Sequence, residues 1–315
     1  FYLISKNSRK NCGILILLAT FPVIFSVIGQ AFFEWHGPMQ TLGGLIVWYQ
    51  RPIEGITSVT GLFNNQNYLG SWLCLVWPFC LALFLQNKKS DPKGFLCFLF
   101  LISMALIIVL TASRASWLSL LLSIPIIFGR KGTKLFIVLI SAILIVLLLI
   151  FIPIFGESFQ NQIMNLLPEG IWSNFLPSTY EMNISRIKIW EVALDTIIKN
   201  PIFGSGSSFP DILEAKTGFW RGHTHNLPLE IMVSYGIPAS LFILTPITKL
   251  IIKSYEAIFI YKNSFFQENL FERAWITSLI LLAFSHFVDI QYFDGRISII
   301  GWILLAGSSQ IIKKN

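Results

Sequence analysis

Apolar residues in this chain neither alternate with polar ones nor form narrow stripes; they come in runs. The runs cover 12–33, 67–86, 94–111, 115–128, 134–155, 226–248, 274–288 and 297–312. Crossing a hydrocarbon core takes roughly 20 residues, so the fourth, seventh and eighth are short. Backbone groups in lipid must be bonded internally, and the alternating segments of a membrane barrel are absent, so the runs predict helices. The expectation is an all-α polytopic membrane protein with about eight transmembrane helices in a single membrane domain spanning 1–315. Two polar excursions interrupt it. In the first, an outer loop at 34–66, the semi-apolar stretch Met39 to Trp48 suits a position flat in the interface, with Trp48 and Tyr49 at headgroup depth. It ends in the amide-rich segment Gly61 to Asn67, where asparagines either cap the next helix or donate to a headgroup or sugar. The second excursion, 156–225, is longer than a connector needs to be. Within it, 184–199 predicts an amphipathic helix with Arg186, Trp190, Ala193 and Ile197 on one face. Asn200-Pro201 ends that helix. A flexible turn is expected at Gly204-Ser205-Gly206-Ser207-Ser208, with Ser208 capping a short helix.

Composition sharpens this picture. Of the 315 residues 54% are hydrophobic and 12% charged, against about a quarter charged in soluble domains; mean hydropathy is +0.68. The net charge of +7 is a matter of topology. With eight spans alternating from an inner start, one face holds 15 of the 23 Lys and Arg but 4 of the 16 Asp and Glu. Positive residues mark the cytoplasmic side, which places 156–225 outside the cytoplasm and gives no support to nucleic-acid binding. The chain opens on Phe1, so helices upstream of it are expected. The run 12–33 is too long for a signal-peptide core and lacks a small-residue cleavage site, so it is expected to be retained. Cys12, Cys74, Cys80 and Cys97 all fall inside the runs and are expected to pack as small apolar residues.

Chemistry is confined to few residues. The stretch Arg221-Gly222-His223-Thr224-His225-Asn226 stands where the second excursion re-enters the membrane. Three more arginines, Arg114, Arg186 and Arg296, are placed to reach the same side. Arg114 sits at the tip of a helical hairpin, where a charge costs up to about 3 kcal/mol if fully central; snorkelling to headgroups is the plain alternative. An exposed helix arginine is the plain alternative for Arg186. Guanidinium groups suit phosphate because their planar fork makes bidentate bonds. Histidine suits a general base near neutral pH, although His223 and His225 would also serve as polar contacts at a helix start. Their i, i+2 spacing and the lack of a neighbouring Cys or acid argue against zinc. Arg221, His223, Asn226 and Asn67 are further candidates for substrate contact. Asp289 and Asp294, in a short loop with Arg296, orient a base, bind acceptor or form an ordinary exposed polar loop. His36 and His286 receive no role. Gly204-x-Gly206 lacks the strand and the Gly-Lys-Ser/Thr of a nucleotide loop.

Six pieces in order give a resemblance. Gly61-x-Phe63-x-x-x-Asn67, Thr111-x-Ser113-Arg114, Arg186-x-x-x-Trp190, Asn200-Pro201-Ile202-Phe203-Gly204-Ser205-Gly206, His223-Thr224-His225-Asn226 and Tyr235-Gly236-Ile237-Pro238 together resemble the O-antigen ligase/O-antigen polymerase membrane superfamily, over about residues 60 to 240. The resemblance implies a GT-C-like helical bundle in the bacterial inner (plasma) membrane, with a long periplasmic loop and an active site facing the periplasm. It implies a glycosyltransferase using an undecaprenyl-diphosphate-linked glycan donor, without metal, nucleotide or other cofactor. The hydroxyl acceptor is then lipid A–core, a growing glycan or a protein. By motif, Arg114 and Arg186 would hold the diphosphate and His225 would be the base. The alternative is a membrane transporter of a small solute such as inorganic carbon. Transport sites lie near the midplane among ionisable residues, whereas these spans are nearly free of charge.

Overall fold

A computed structural model describes residues 5–53, 58–87, 91–151, 185–260 and 267–313, together with positions 156, 158 and 162. Each expected apolar run falls on helix. The first is divided, α1 (Lys6–Leu18) and α2 (Phe21–Phe33), because Pro22 in the first turn of α2 cannot donate a hydrogen bond back to α1. There follow α3 (Gln66–Gln86), α4 (Pro92–Leu110), α5 (Arg114–Phe128), α6 (Arg130–Phe151), α7 (Arg186–Lys199), α8 (Phe209–Thr217), α9 (Leu227–Tyr255), α10 (Leu270–Val288) and α11 (Gly295–Lys313). Against eight expected spans, the described residues hold six helical stretches long and apolar enough to cross a membrane. The runs 115–128 and 134–155 appear as the shorter apolar helices Arg114–Phe128 and Gly132–Val146, the latter within α6. Positions 152–155 lie outside the described residues.

Burial orders these helices. About 72% of the α3 span and 67% of the α10 span is buried inside the protein, against 17% for α9. A helix apolar on every side belongs in the middle, so α3 and α10 form the centre, locked together by Ser278 Oγ donating to the Leu75 carbonyl at 2.7 Å. Phe79 meets Trp275 edge-on at 5.7 Å. On the other side of α3, Cys74 Sγ lies 3.3 Å from the Ser116 carbonyl of α5. Cys74, Cys80 and Cys97 are buried, in keeping with their expected packing role, and Cys12 is half-buried.

Helix ends sort into two groups. At one end Lys6 donates to Asn269 at 3.0 Å and Lys10 to Gln86 at 3.0 Å. Arg9 and Glu272 form an ion pair there, with side chains 3% and 7% exposed. Arg273 donates to the Ile127 carbonyl at 2.9 Å and lies over Phe259. This corrects the expectation of spans nearly free of charge: α10 begins at Leu270, earlier than the apolar run at 274, and carries Glu272 and Arg273 in its first turn. The opposite end gathers the start of α3, the α4–α5 hairpin, the start of α9 and the α10–α11 loop.

The excursions differ from expectation in detail. Part of 34–66 is an antiparallel hairpin, β1 (Met39–Thr41) and β2 (Ile46–Trp48), with Met39 opposite Trp48 and Thr41 opposite Ile46. Most of 156–184, including Ile184, lies outside the described residues. The expected amphipathic helix is α7, capped by Ser185, whose hydroxyl accepts from the Lys188 amide at 3.3 Å. Its buried face is Ile189, Val192, Ala193, Thr196 and Ile197, so the stripe is displaced from the expected one. Arg186 is exposed and Trp190 is at the edge.

The turn after α7 is not a flexible linker. Gly204 (φ +69) and Gly236 (φ +83) sit backbone against backbone. A Cβ on Gly204 would stand 2.6 Å from the Val233 carbonyl oxygen, and one on Gly236 would collide with the Ile202 carbonyl. Ile237 N donates to the Pro201 carbonyl at 2.8 Å and Ser205 N to that of Val233 at 2.6 Å. Gly236 breaks the helical dihedrals of α9, and the broken turn accepts the Pro201–Gly206 segment. Two motif pieces thirty residues apart are thus one structural joint. Ser208 does occupy the cap position of α8, but its hydroxyl donates to the Ser205 carbonyl at 2.6 Å and caps nothing.

Candidate active site

The segment before α9 is fixed residue by residue. Thr224 is fully buried. Its carbonyl accepts from Trp190 Nε1 at 3.0 Å, its amide donates to Glu230 Oε2 at 2.9 Å, and its hydroxyl donates to the Asn226 carbonyl at 2.8 Å. Asn226 caps α9, with Oδ1 accepting from the Leu229 amide at 3.0 Å, while its Nδ2 donates to the Phe287 carbonyl at 3.1 Å. Between these anchors His225 takes a left-handed conformation, φ 56. That region is sparsely populated for residues with a Cβ and persists when neighbours over-determine it. Here Trp190, Glu230 and the α9 cap do so, and the ring turns towards the end of α10.

There it meets Asp289. His225 Nδ1 is 2.9 Å from Asp289 Oδ1. The carboxylate is 8% exposed and the His225 side chain 24%. Burial pushes the Asp289 pKa up, but hydrogen bonds from His223 and His225, with the Ile290 amide, hold it well below the usual carboxylate range. An ionised carboxylate only accepts. Therefore the proton of this bond sits on His225 Nδ1, and in the neutral ring the lone pair is on Nε2. The second carboxylate oxygen accepts from Asn67 Nδ2 at 3.0 Å, which stops the carboxylate rotating away. Asn67 lies in the first turn of α3, where Asn65 does the capping, accepting from the Asn67 amide at 2.8 Å. The amide cluster therefore divides: one asparagine caps, another reaches the site.

His223 stands beside this pair. Its Nε2 is 3.5 Å from the same Asp289 Oδ1, its ring centroid 4.2 Å from that of His225, and it stands edge-on to Phe293 at 5.3 Å. The argument against a third ligand held only for neighbouring sequence. The fold brings Asp289 to both histidines, and the three ligand atoms lie within 4.8 Å of one another.

The arginines separate into two kinds. Arg296 is locked: Nη2 and Nε bond Asp294 at 2.6 and 3.1 Å, Nη1 donates to the Leu62 carbonyl at 2.7 Å, and the guanidinium lies 4.0 Å over Phe63. It ties the α10–α11 loop to the start of α3 rather than offering itself to a ligand. Arg114 and Arg186 are exposed at the first positions of α5 and α7. Among the described residues neither makes an ion pair. Arg114 follows the tight Thr111-Ala112-Ser113 hairpin, whose Ala112 has φ 55. Arg186 is one turn before Trp190, which clamps the segment holding His225. Arg221 is half-buried on the same segment. Sequence reasoning missed Trp190 and Glu230 as supports and read Asn67 as a substrate contact or cap; for Trp190 the i+4 spacing from Arg186 gave a signal.

Residues 98–244, from α4 into α9, match the family described as O-antigen ligase. Over this stretch the chain is similar to the O-antigen ligase family, in line with the resemblance read from the motif pieces. That family implies a glycosyl-transferring enzyme of lipopolysaccharide biosynthesis, and the crossing helices fit a multi-pass membrane protein. The matched stretch contains Arg114, Arg186 and His225 but neither Asn67 nor Asp289. No curated protein matches the chain. The solute-transporter alternative gains no support.

Proposed function

We propose that this O-antigen ligase-like protein, a GT-C-type helical bundle of the bacterial inner membrane, transfers a glycan from undecaprenyl diphosphate to a hydroxyl acceptor at the periplasmic face. The observation that carries this reading is the Asn67–Asp289–His225 chain, which leaves a lone pair on Nε2 at the bundle end where Arg114 and Arg186 are exposed. His225 Nε2 takes the acceptor hydroxyl proton while that oxygen attacks the anomeric carbon. The bond from that carbon to the diphosphate oxygen breaks, and undecaprenyl diphosphate leaves with the electron pair. Arg114 and Arg186 neutralise its charge, a role a metal ion fills elsewhere. Asp289 stabilises the imidazolium that forms. Attack from the face opposite the diphosphate inverts the anomeric configuration.

An apolar cavity of about 520 Å³ supports a lipid-linked donor. It lies between α9, α10 and α11, lined by Leu227, Ile231, Leu282, Tyr292, Trp302 and Leu305. Leu227 follows Asn226 directly, so the cavity begins beside the base and continues down the membrane-facing helices, as a polyprenyl chain requires. Lipid A–core, a growing glycan and a protein hydroxyl are the acceptor classes, since all accept through a hydroxyl.

The test is release of undecaprenyl diphosphate from a lipid-linked oligosaccharide by the protein in nanodiscs, with and without lipid A–core. Transfer to lipid A–core assigns a ligase, and chain extension without it assigns a polymerase. Release that persists at the full rate in His225→Ala would overturn the mechanism.

A further inference from the structure

Three donors converge on one oxygen at the candidate site. Asp289 Oδ1 faces His225 Nδ1 at 2.9 Å, the Ile290 amide at 2.9 Å and His223 Nε2 at 3.5 Å. A carboxylate oxygen offers about two lone-pair positions, so His223 is left at the longest distance although its ring points at the same atom. Protons satisfy this arrangement incompletely; a cation satisfies it better. Two imidazole nitrogens and one carboxylate oxygen are the ligand types of zinc, with bonds of about 2.0–2.2 Å. Such bonds put tetrahedrally arranged ligand atoms roughly 3.3 Å apart. The two measured edges, 2.9 and 3.5 Å, lie either side of that value. Outer support is already in place: Asn67 holds Asp289 Oδ2 at 3.0 Å, and Trp190 and Glu230 hold the histidine segment. The histidine side chains are 22% and 24% exposed, so an ion can enter from solvent.

We propose that His223, His225 and Asp289 bind a zinc-class transition-metal dication, and that this ion switches glycan transfer off. Binding stands on the geometry alone; inhibition rests on the function proposed above. An ion beside Asp289 Oδ1 takes the lone pair of His225 Nδ1. The proton that Nδ1 carried moves through solvent to Nε2, so the ring stays neutral and no proton is released overall. The imidazole remains in place yet presents an N–H, not a lone pair, to the acceptor hydroxyl. Two nitrogen ligands select zinc-like ions over magnesium or calcium, which prefer oxygen.

The probe is Co²⁺, titrated into the full chain in nanodiscs after removal of any histidine tag. The expected result is one equivalent bound with the visible absorption of a four-coordinate N/O site, displaced by Zn²⁺ and not by Mg²⁺. His223→Ala should weaken it by roughly tenfold or more, since even supporting residues of metal sites contribute that much, and Asp289→Ala should do the same. Absence of the band, or equal binding in wild type and both variants, overturns the site. Zn²⁺ should suppress release of undecaprenyl diphosphate in wild type, with full recovery on chelation. Suppression at the same zinc concentration in His223→Ala overturns the switch. A band that forms normally in protein without transfer under any condition supports the site and removes the proposed function instead.

Discussion

The two ends of the helix bundle use charge in opposite ways. At the end carrying Lys6 and Lys10, Arg9 is closed on Glu272 and Arg273 on the Ile127 carbonyl and the Phe259 ring, all in the interior. At the other end, Arg114 and Arg186 are exposed and without an ion pair among the described residues, while one of the buried carboxylates, Asp289, faces two solvent-reached histidines. Arg296 shows that location alone does not decide, because it shares the second end and is nevertheless locked by Asp294. Among the arginines, the difference is whether the protein itself supplies the partner.

The comparison is broken most directly at His225. Replacing it with alanine should lower glycan transfer by ~10³-fold or more, within the range of general-base contributions, with membrane insertion unchanged. Asp289→Asn keeps the shape but offers an amide to Nδ1, favouring the wrong tautomer. Its expected loss is roughly 10²–10³-fold, read as kcat with the donor KM little changed. Arg114→Ala and Arg186→Ala should each abolish detectable transfer, about 10²-fold or more, as for other lost charge stabilisers. Their unfolding temperatures should stay at the wild-type value, since neither side chain is packed.

At the opposite end the expected signs reverse. Glu272→Ala leaves the Arg9 guanidinium inside without its carboxylate, and breaking a buried pair costs about 3 kcal/mol or more. Unfolding monitored by tryptophan fluorescence should show that loss, while transfer per folded molecule remains at the wild-type rate. A transfer defect without destabilisation would show that the ends are not divided in this way.

Much of this was legible in sequence, for physical reasons that can be named. The helical runs were legible because lipid demands long apolar helices, although six stretches rather than eight are long and apolar enough to cross among the described residues. The ordered motif pieces led to Arg114, Arg186 and His225. The partner of the base was legible only as one alternative: Asp289, read with Asp294 as a residue to orient a base, is 64 residues from His225, and only the final turn of α10 aims its carboxylate at the ring. Asn67 carried an ambiguous signal, since any asparagine before a helix reads as a cap, and here Asn65 is the cap. Arg296 was grouped with the open arginines because its bond to the Leu62 carbonyl spans 234 residues. The glycine joint was invisible because Gly204 read as an ordinary turn residue and Gly236 fell inside the apolar run 226–248. Only contact between them makes each required.

The smallest expected effect tests the protonation state on which the mechanism depends. Asp289 is held below the usual carboxylate range by the two histidines and the Ile290 amide, against its burial. For a carboxylate depressed in the folded state, the stabilisation is fully present above its unfolded value, about 3.9. It is lost as pH falls through the lower folded value. The gap in unfolding temperature between wild type and Asp289→Asn should therefore hold steady as pH is lowered to about 4 and narrow only below it. Tryptophan fluorescence melts from pH 5 to pH 3 resolve that window. A gap already closing above pH 4 would mean that the histidines and the Ile290 amide do not hold the Asp289 carboxyl below its unfolded value. A protonated carboxyl donates to His225, moves the ring proton to Nε2, and leaves the base without the lone pair the reaction needs.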